Sequence, residues 1–202
     1  MTVIKPDFFT KPTLTVARAL LGQRLVRYVD GQRLGGMIVE TEAYIGSGDS
    51  ASHASKGRTP RTDVMYGPPG HAYVYLIYGM YHMLNLTTEQ EGFPAAVLLR
   101  AIEPQEGISA MQVRRQGTNR SPLQLNQLTN GPGKLCQALD VDKTLHNWDV
   151  TLGQELWLEY GQVIFEANVA TGPRIGIDYA APEDKAAPWR FWVQGNRFVS
   201  YR

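Results

Sequence analysis

Residues 24–46 read RLVRYVDGQRLGGMIVETEAYIG, and this stretch decides the fold. Its two halves are rich in Val, Ile, Leu and Tyr, and β-branched and aromatic residues favour strands. Asp30-Gly31 lies between the halves, and this dipeptide is typical of the two-residue turn of an antiparallel hairpin. The sequence therefore predicts two antiparallel strands joined at this turn.

Side chains of the second predicted strand alternate between its two faces. One face receives Met37, Val39, Thr41 and Ala43, and the other receives Ile38, Glu40, Glu42 and Tyr44. Charged side chains are mostly exposed, so one interpretation of the carboxylate face is a solvated outer face of the sheet. The other is a site in which a carboxylate beside an aromatic ring performs acid–base chemistry on a planar substrate. The pattern alone favours the first interpretation and leaves the second open.

The remaining segments predict further strands and three helices. A second hairpin joins AYVYLIY (72–78) to YHMLNLTT (81–88), and AAVLLRAI (95–102) follows as a strand. Helices are predicted in VARALLG (16–22), with Thr13 or Thr15 as its cap, in EGISAMQVRRQG (106–117) and in GPGKLCQALDV (131–141). The segments ELWLEY, QVIFEANVA, RFWVQG and RFVSYR are predicted to be mostly β. The result is a single α+β domain over residues 1–202, built on an antiparallel or mixed sheet.

Composition excludes several classes of protein. The chain has 202 residues, with 20 Lys and Arg against 19 Asp and Glu, so it has no overall basic field. Its single cysteine excludes an intramolecular disulfide framework, and its four histidines show no spacing typical of metal ligands. The uncharged run 64–88 contains too much Pro, Gly, His and Asn for a membrane helix. The first residues lack the apolar segment of a signal peptide, so we expect a cytoplasmic protein. We also expect no metal, no cofactor and no membrane contact.

Aromatic and basic residues are concentrated locally. The second hairpin contains several tyrosines, which commonly pack at half-buried sites of a sheet. Tyrosines can also stack on nucleic-acid bases or wedge between base steps from a hairpin tip. The loop SHASKGRTPR places His53, Lys56, Arg58 and Arg61 close together, and residues 107–139 contain no Asp or Glu. A lone histidine in a loop is usually an ordinary surface residue, but four basic or imidazole groups within nine residues favour a nucleic-acid partner.

Taken together, several blocks make the chain similar to the alkyladenine (methylpurine) DNA glycosylase family. They are VARALLGQRLV, VETEAYIG, SHASKGRTPR, AYVYLIYGMYHMLN, VLLRAIEP, NGPGKLCQAL and GPRIGI, which occur in the family's order between residues 16 and 200. The resemblance implies a curved sheet flanked by helices, similar to the C-terminal domain of formyltransferases. It also implies a protruding β-hairpin that enters the DNA minor groove. The short amino terminus resembles the compact bacterial form.

The resemblance assigns roles to residues at the glycosidic bond. Glu42, and not Glu40, matches the general base. Arg100 and the backbone carbonyl of Ile175 match the groups that hold the attacking water. Asn85 matches a pocket residue that discriminates among purines.

Other matched residues contact the base or the DNA. Tyr44 and His53 match residues on one face of the flipped base, and Tyr75 matches the residue on its other face. Tyr78 matches the intercalating residue, with Met80 beside it on the hairpin. The expected phosphate contacts are Arg61, Lys134 and Arg174.

The implied enzyme acts as a monomer on double-stranded DNA that contains damaged purines. It flips 3-methyladenine, 7-methylguanine or hypoxanthine out of the duplex and hydrolyses the N-glycosidic bond, without cleaving the strand. Whether ethenoadenine is accepted stays open, as does the acid that would protonate a neutral leaving base. Two alternatives remain. One is a hydrolase of small glycosides that uses Glu40 and Glu42 as a carboxylate pair, and the other is a non-catalytic binder of damaged or kinked duplex.

Overall fold

An eight-stranded antiparallel sheet organises the chain in a computed structural model that describes residues 2–116 and 123–200. Six strands follow one another in the order β3-β4-β5-β2-β1-β6, while β8 pairs with β2 and with β7. The strands are β1 (Arg24–Val29), β2 (Gln32–Ile45), β3 (Ala72–Ile77), β4 (Tyr81–Thr87), β5 (Ala95–Glu106), β6 (Leu156–Glu159), β7 (Val169–Gly172) and β8 (Arg190–Val193). The predicted α+β class and both predicted hairpins are confirmed.

Four α-helices accompany the sheet in the described part of the chain. They are α1 (Thr13–Ala19), α2 (Ile108–Gln116), α3 (Pro132–Ala138) and α4 (Pro182–Ala186). The first three were predicted, and α4 was not. None of the helices in residues 2–116 and 123–200 is long and apolar enough to cross a membrane.

Two details of the prediction were wrong. The N-cap of α1 is Pro12, and Thr13 is already helical. The carboxylate of Glu89 takes the place of a threonine cap, since it accepts a hydrogen bond from the Thr13 N–H at 3.0 Å. Strand structure in QVIFEANVA is limited to the start of β7, and none is found in 197–200, the described part of RFVSYR.

One face of the sheet carries the main hydrophobic core. Helix α1 packs on β2 and β5, and α3 packs on β4 and β5. In β4, Leu84 and Leu86 belong to this core, while Asn85 between them points to the opposite face. The opposite face is therefore free of α1 and α3, and the candidate site lies there.

Two neighbouring β-bulges interrupt the pairing of β2 with β5. Ile38 pairs with Ile102, Glu40 with Ala101 and Thr41 with Leu99, which leaves Val39 and Arg100 unpaired. An extra residue in a strand shifts the alternation of its side chains, because two successive residues then share a face.

Because of the bulge at Val39, the side chains of β2 are distributed over the two faces differently from the prediction. Ile38 and Ala43 both belong to the main core, whereas Met37 and Val39 pack with Phe198 in a separate cluster. Strict alternation cannot place residues 38 and 43 on the same face. The predicted grouping of Ile38 with the two glutamates is therefore wrong.

Candidate active site

A cavity of about 820 Å³ opens on the sheet face opposite α1 and α3. Its floor includes Asn85 of β4 together with Leu98 and Arg100 of β5. Tyr44, at the end of β2, and Ile175, in the segment after β7, lie at one side, and the β3–β4 hairpin borders the cavity as well. A concave site of this size can hold one small planar ligand.

Glu42 lies beside the cavity with its side chain fully buried. One carboxylate oxygen, Oε2, accepts hydrogen bonds from Nη1 of Arg100 at 3.1 Å and from the hydroxyl of Tyr44 at 2.9 Å. The other, Oε1, accepts a hydrogen bond from the backbone N–H of Ile175 at 2.7 Å. All three donors line the cavity, so the carboxylate is held in one orientation at its edge.

Glu40 is fully buried as well, and the interpretation of this strand face as a solvated outer face was wrong. Its carboxylate accepts hydrogen bonds from Arg100 Nε at 3.3 Å, from Arg190 Nη1 at 3.0 Å and from the Ser200 N–H at 2.7 Å. Arg100 therefore bridges the two glutamates with two different nitrogens. A buried carboxylate requires such partners, because an unpaired charge in the interior is very costly.

Protonation states follow from burial and from neighbouring charge. Burial, and then the negative charge of Glu42, raise the pKa of the Tyr44 hydroxyl well above its usual value. Tyr44 therefore stays protonated and donates its hydrogen bond. Burial lowers the pKa of Arg100, but the charges of Glu42 and Glu40 outweigh it, so the pKa is raised overall.

Aromatic rings form another wall of the cavity. The ring of His53 meets that of Tyr75 edge-on, with 4.6 Å between centroids, and Tyr73 lies 5.3 Å from Tyr75. The hydroxyl of Tyr73 is 2.8 Å from His53 Nδ1. Burial, and then the positive charges of Arg61 and Lys56, lower the pKa of His53 to about 4. His53 is therefore neutral at pH 7.

Asn85 presents a fixed amide at the cavity floor. Its Nδ2 donates a hydrogen bond to the backbone carbonyl of Tyr73 at 3.1 Å, and the residue is almost completely buried. This bond fixes the orientation of the amide, which the sequence could place in a strand but not orient.

Comparison with known proteins agrees with this arrangement. The profile of the methylpurine-DNA glycosylase family matches residues 7–197. A relative from Methanocella arvoryzae is 50% identical, with 100% of this chain and 98% of the relative covered. A relative from Alkaliphilus oremlandii is 48% identical, with 98% of each chain covered. A relative from Bacillus thuringiensis is 50% identical, with 96% of this chain and 97% of the relative covered. All three are provisionally named 3-methyladenine DNA glycosylases.

The chain belongs to the methylpurine-DNA glycosylase family. Membership confirms the predicted resemblance and makes the protein an enzyme, an N-glycosylase.

The tip of the β3–β4 hairpin of this glycosylase is largely exposed to solvent. Tyr78 is 81% exposed and Met80 is 66% exposed. Tyr78 has a φ of 53° and Gly79 a φ of 69°, and the Met80 N–H donates to the carbonyl of Ile77 at 3.2 Å. A bulky side chain at positive φ is uncommon, because its Cβ crowds the following carbonyl. The fold thus holds a large aromatic ring outside its core at a local cost in energy.

The three predicted phosphate contacts differ in position. Arg61 and Lys134 are exposed, the former over the ring of Tyr75 and the latter hydrogen-bonded to Asn130. The side chain of Arg174 is fully buried and forms a two-pronged ion pair with Asp49, at 2.6 and 2.9 Å. The prediction for Arg174 was therefore wrong, since a phosphate cannot reach a guanidinium in this position.

Arg174 instead supports the cavity wall from behind. Its guanidinium carbon lies 4.8 Å from the ring centroids of both Tyr44 and Trp189. Its Nη1 also donates to the carbonyl of Ala43 at 2.9 Å. The arginine therefore fixes the ring of Tyr44 in the glycosylase through stacking and through the adjacent backbone.

Sequence reasoning missed several residues at or near the site. These are Asp49, Tyr73, Tyr179, Trp189, Arg190 and Ser200. No motif marked the last four, because they come from segments distant in sequence. In the described part of the chain, no group of three His, Cys, Asp or Glu residues is placed to hold a metal ion.

Proposed function

We propose that this glycosylase flips alkylated and deaminated purines out of duplex DNA and hydrolyses their N-glycosidic bond. The observation that carries the proposal is the buried Glu42–Arg100 pair at the edge of an aromatic cavity, next to an exposed hairpin. The glycosidic bond of a stacked nucleotide is inaccessible, so an enzyme that cleaves it must take the nucleotide out of the stack. The cavity receives the base, and the hairpin contacts the duplex.

The cavity suits a cationic purine. The predicted assignment of His53 and Tyr75 to opposite faces of the base does not fit the structure, because their rings are in contact with 4.6 Å between centroids and leave no room for a base between them. We therefore assign His53 and Tyr75 to one face of the flipped base and Tyr44 to the other. An electron-poor ring such as 3-methyladenine or 7-methylguanine stacks favourably between aromatic faces. His53 supports this selection because it is neutral and does not repel a cationic base. Asn85 is assigned to the edge of the base, where its fixed amide discriminates among purines.

Glu42 is assigned the role of general base. It takes a proton from a water molecule as the water oxygen bonds to C1′ of the sugar. The bond from C1′ to the base nitrogen breaks, and its electron pair leaves with the base. The negative charge of the carboxylate also stabilises the cationic character of the sugar in the transition state.

Arg100 and Ile175 are assigned to the orientation of the carboxylate and the water. Arg100 holds Oε2 and the N–H of Ile175 holds Oε1, so lone pairs of both oxygens are directed by the protein. The contact of Ile175 with Glu42 uses its N–H, and the role of its carbonyl toward the water stays a prediction. A cationic base leaves without protonation, whereas hypoxanthine requires an acid in addition to these groups.

Tyr78 is assigned the role of a wedge that fills the gap left by the flipped nucleotide. Insertion of an aromatic side chain between base steps offsets the cost of unstacking. Met80 lies next to it on the exposed tip, and both enter the minor groove in this proposal. Arg61 and Lys134 then contact phosphates, because their positive charges attract the negative charges of the DNA backbone.

The test is base release from a duplex oligonucleotide that contains one 7-methylguanine, with wild type and Glu42→Gln compared. The proposal predicts free base and an intact abasic strand for wild type, and release at least about 100-fold slower for the variant. Release from free nucleosides without DNA affinity would favour a small-glycoside hydrolase. Binding without release would favour a non-catalytic reader of damaged duplex.

Lys56 provides a further check, because it lines the cavity and carries an amine. Borohydride reduces the Schiff base that a lyase forms with the opened sugar and so crosslinks enzyme to DNA. The proposal is hydrolysis only, so no crosslink is expected.

A further inference from the structure

Glu40 is a buried charged residue for which the proposed mechanism has no use. Its side chain is fully buried, and three donors from three different parts of the chain converge on it. These are Arg100 on β5, Arg190 on β8 and the backbone N–H of Ser200 near the carboxyl end. A whole buried ion cluster can often be replaced by apolar side chains without loss of stability, so stability of the sheet alone does not require a carboxylate at this position.

The geometry of Arg100 connects Glu40 to the reacting centre. Its Nε bonds Glu40 and its Nη1 bonds Glu42, so the two carboxylates occupy different edges of one planar guanidinium. The fork is rigid, and fixing one edge fixes the other. The bond to Glu40 therefore sets the place and the angle at which Nη1 meets Glu42.

The balance of charges in this cluster is a second link between Glu40 and Glu42. Glu40 and Glu42 carry two negative charges, and Arg100 and Arg190 carry two positive ones, so the cluster is neutral. Arg190 pairs with Glu42 in the β2–β8 register, but its guanidinium bonds Glu40. Glu40 thus neutralises the positive charge of Arg190, which would otherwise act on Glu42.

We infer that Glu40 is a positioning residue that holds Arg100 and balances Arg190, so that Glu42 stays basic enough to take a proton from water. This inference rests on the proposed role of Glu42. Glu40 does not touch substrate in this mechanism, and it acts through Arg100.

Replacing Glu40 by Gln removes a charge and keeps a hydrogen-bond acceptor. The cluster then has an excess positive charge, which favours the ionised form of Glu42 and weakens it as a base. The acid limb of the pH–rate profile should move to lower pH by about one unit, the scale expected of one nearby charge. The plateau rate should fall, while affinity for duplex with an abasic site should not.

Arg190→Gln removes a positive charge from the cluster, whereas Glu40→Gln removes a negative one. It leaves excess negative charge beside Glu42, so the acid limb should move to higher pH. The other groups that bond Glu42 are the hydroxyl of Tyr44, the guanidinium of Arg100 and the N–H of Ile175. Burial raises the pKa values of the nearby Tyr75 and Tyr179 hydroxyls, and the charge of Glu42 adds to this, so neither ionises in the range measured. The pKa of Tyr44 is raised by burial, so it does not titrate in the range measured.

The experiment is single-turnover excision of 7-methylguanine from duplex between about pH 4 and pH 8. This base is already cationic and needs no acid, so the limb reports the general base. Glu159→Gln is the matched control, because Glu159 is a buried carboxylate on β6 that is ion-paired with Arg33 at 2.7 Å, outside the cavity. It should lower stability and leave the profile in place.

Opposite shifts for Glu40→Gln and Arg190→Gln support the inference. If neither variant moves the limb and both have the plateau rate of Glu159→Gln, Glu40 is structural only and the inference is wrong. Either variant alone tests the inference if the other does not fold, because each has its own expected direction of shift. Full activity of Glu42→Gln would instead refute the proposed function, so the two failures are distinguishable.

Discussion

Replacement of Tyr78 at the hairpin tip should barely change stability and should strongly impair excision. The residue is 81% exposed, so about a fifth of a side chain that buries roughly 200 Å² is covered, or ~40 Å². At 25 cal/mol per Å², Tyr78→Ala loses ~1 kcal/mol. Tyr78→Gly loses the same contact but removes a strain of about 1–2 kcal/mol at a φ of 53°. Both variants should melt within about 4 °C of wild type.

The activity of these variants should depend on how firmly the lesion is paired. Extrusion of a base costs a few kcal/mol, and least when the base is mispaired. Loss of about 2 kcal/mol of wedge stabilisation corresponds to a roughly 30-fold slower single-turnover excision. We expect this loss for hypoxanthine opposite cytosine, and a loss of a few-fold for hypoxanthine in a purine mispair.

Tyr28→Ala is the matched control for this prediction. Tyr28 is 50% exposed on β1, and β4, β5 and β2 separate it from the hairpin strand β3. The same chemical change there should leave excision unaltered. A fall in melting temperature of more than about 10 °C for Tyr78→Ala would mean that the ring is packed. Equal activity losses on both duplexes would also refute the wedge.

Three further predictions concern charge. Arg61→Gln and Lys134→Gln should each lower the slope of log affinity against log salt by about 0.9, and an unchanged slope in a salt titration would place that residue outside the DNA footprint. Arg174→Met should leave this slope unchanged but lower the free energy of unfolding by about 3–5 kcal/mol in urea titrations, because it strands the buried charge of Asp49. The pKa of His53 is about 4 in the folded state, below its usual 6.5, so unfolding takes up a proton between these values and stability should fall as pH drops through this window. In His53→Gln, this pH-dependent loss of unfolding free energy should be smaller by about 1–2 kcal/mol, a figure that allows for the partial exposure of the ring. Urea midpoints that depend on pH in the same way for variant and wild type would contradict this.

Local patterns predicted the elements of the fold well. Asp30-Gly31 marks the first hairpin, and in the structure both residues have positive φ, as a two-residue turn of this kind requires. Strand β5 extends four residues beyond the predicted AAVLLRAI, through Glu106. Its extension could not be read from the sequence, since EPQE has no strand propensity and is held by pairing with β2.

The orientation of side chains was predicted less well. Alternation along β2 assumes an unbroken ladder, and the bulge at Val39 breaks it. Bulges depend on the partner strand, so a single strand pattern does not reveal them. The same limit applies to burial, because Glu40 and Glu42 look like surface residues until Arg100 and Arg190 arrive from strands far along the chain.

Site residues were predicted from resemblance, and the structure brings most of them together. Tyr44, His53, Tyr75, Asn85 and Arg100 all line one cavity. Arg174 is the exception, because a basic residue in a loop looks like a phosphate contact when its buried partner is unknown. Asp49 is that partner, and 125 residues separate the two in sequence.

Glu42, in the proposed mechanism, activates water and does not serve to bind DNA. The most direct measurement compares wild type with Glu42→Gln in two quantities, the single-turnover rate of 7-methylguanine release and the affinity for duplex that contains an abasic site. We expect the rate to fall by a factor of at least about 100, within the range typical of a lost general base, while the affinity stays within a few-fold of wild type. A variant that retains most of its rate, or one that loses rate and affinity together, would contradict the assignment of Glu42 as the general base.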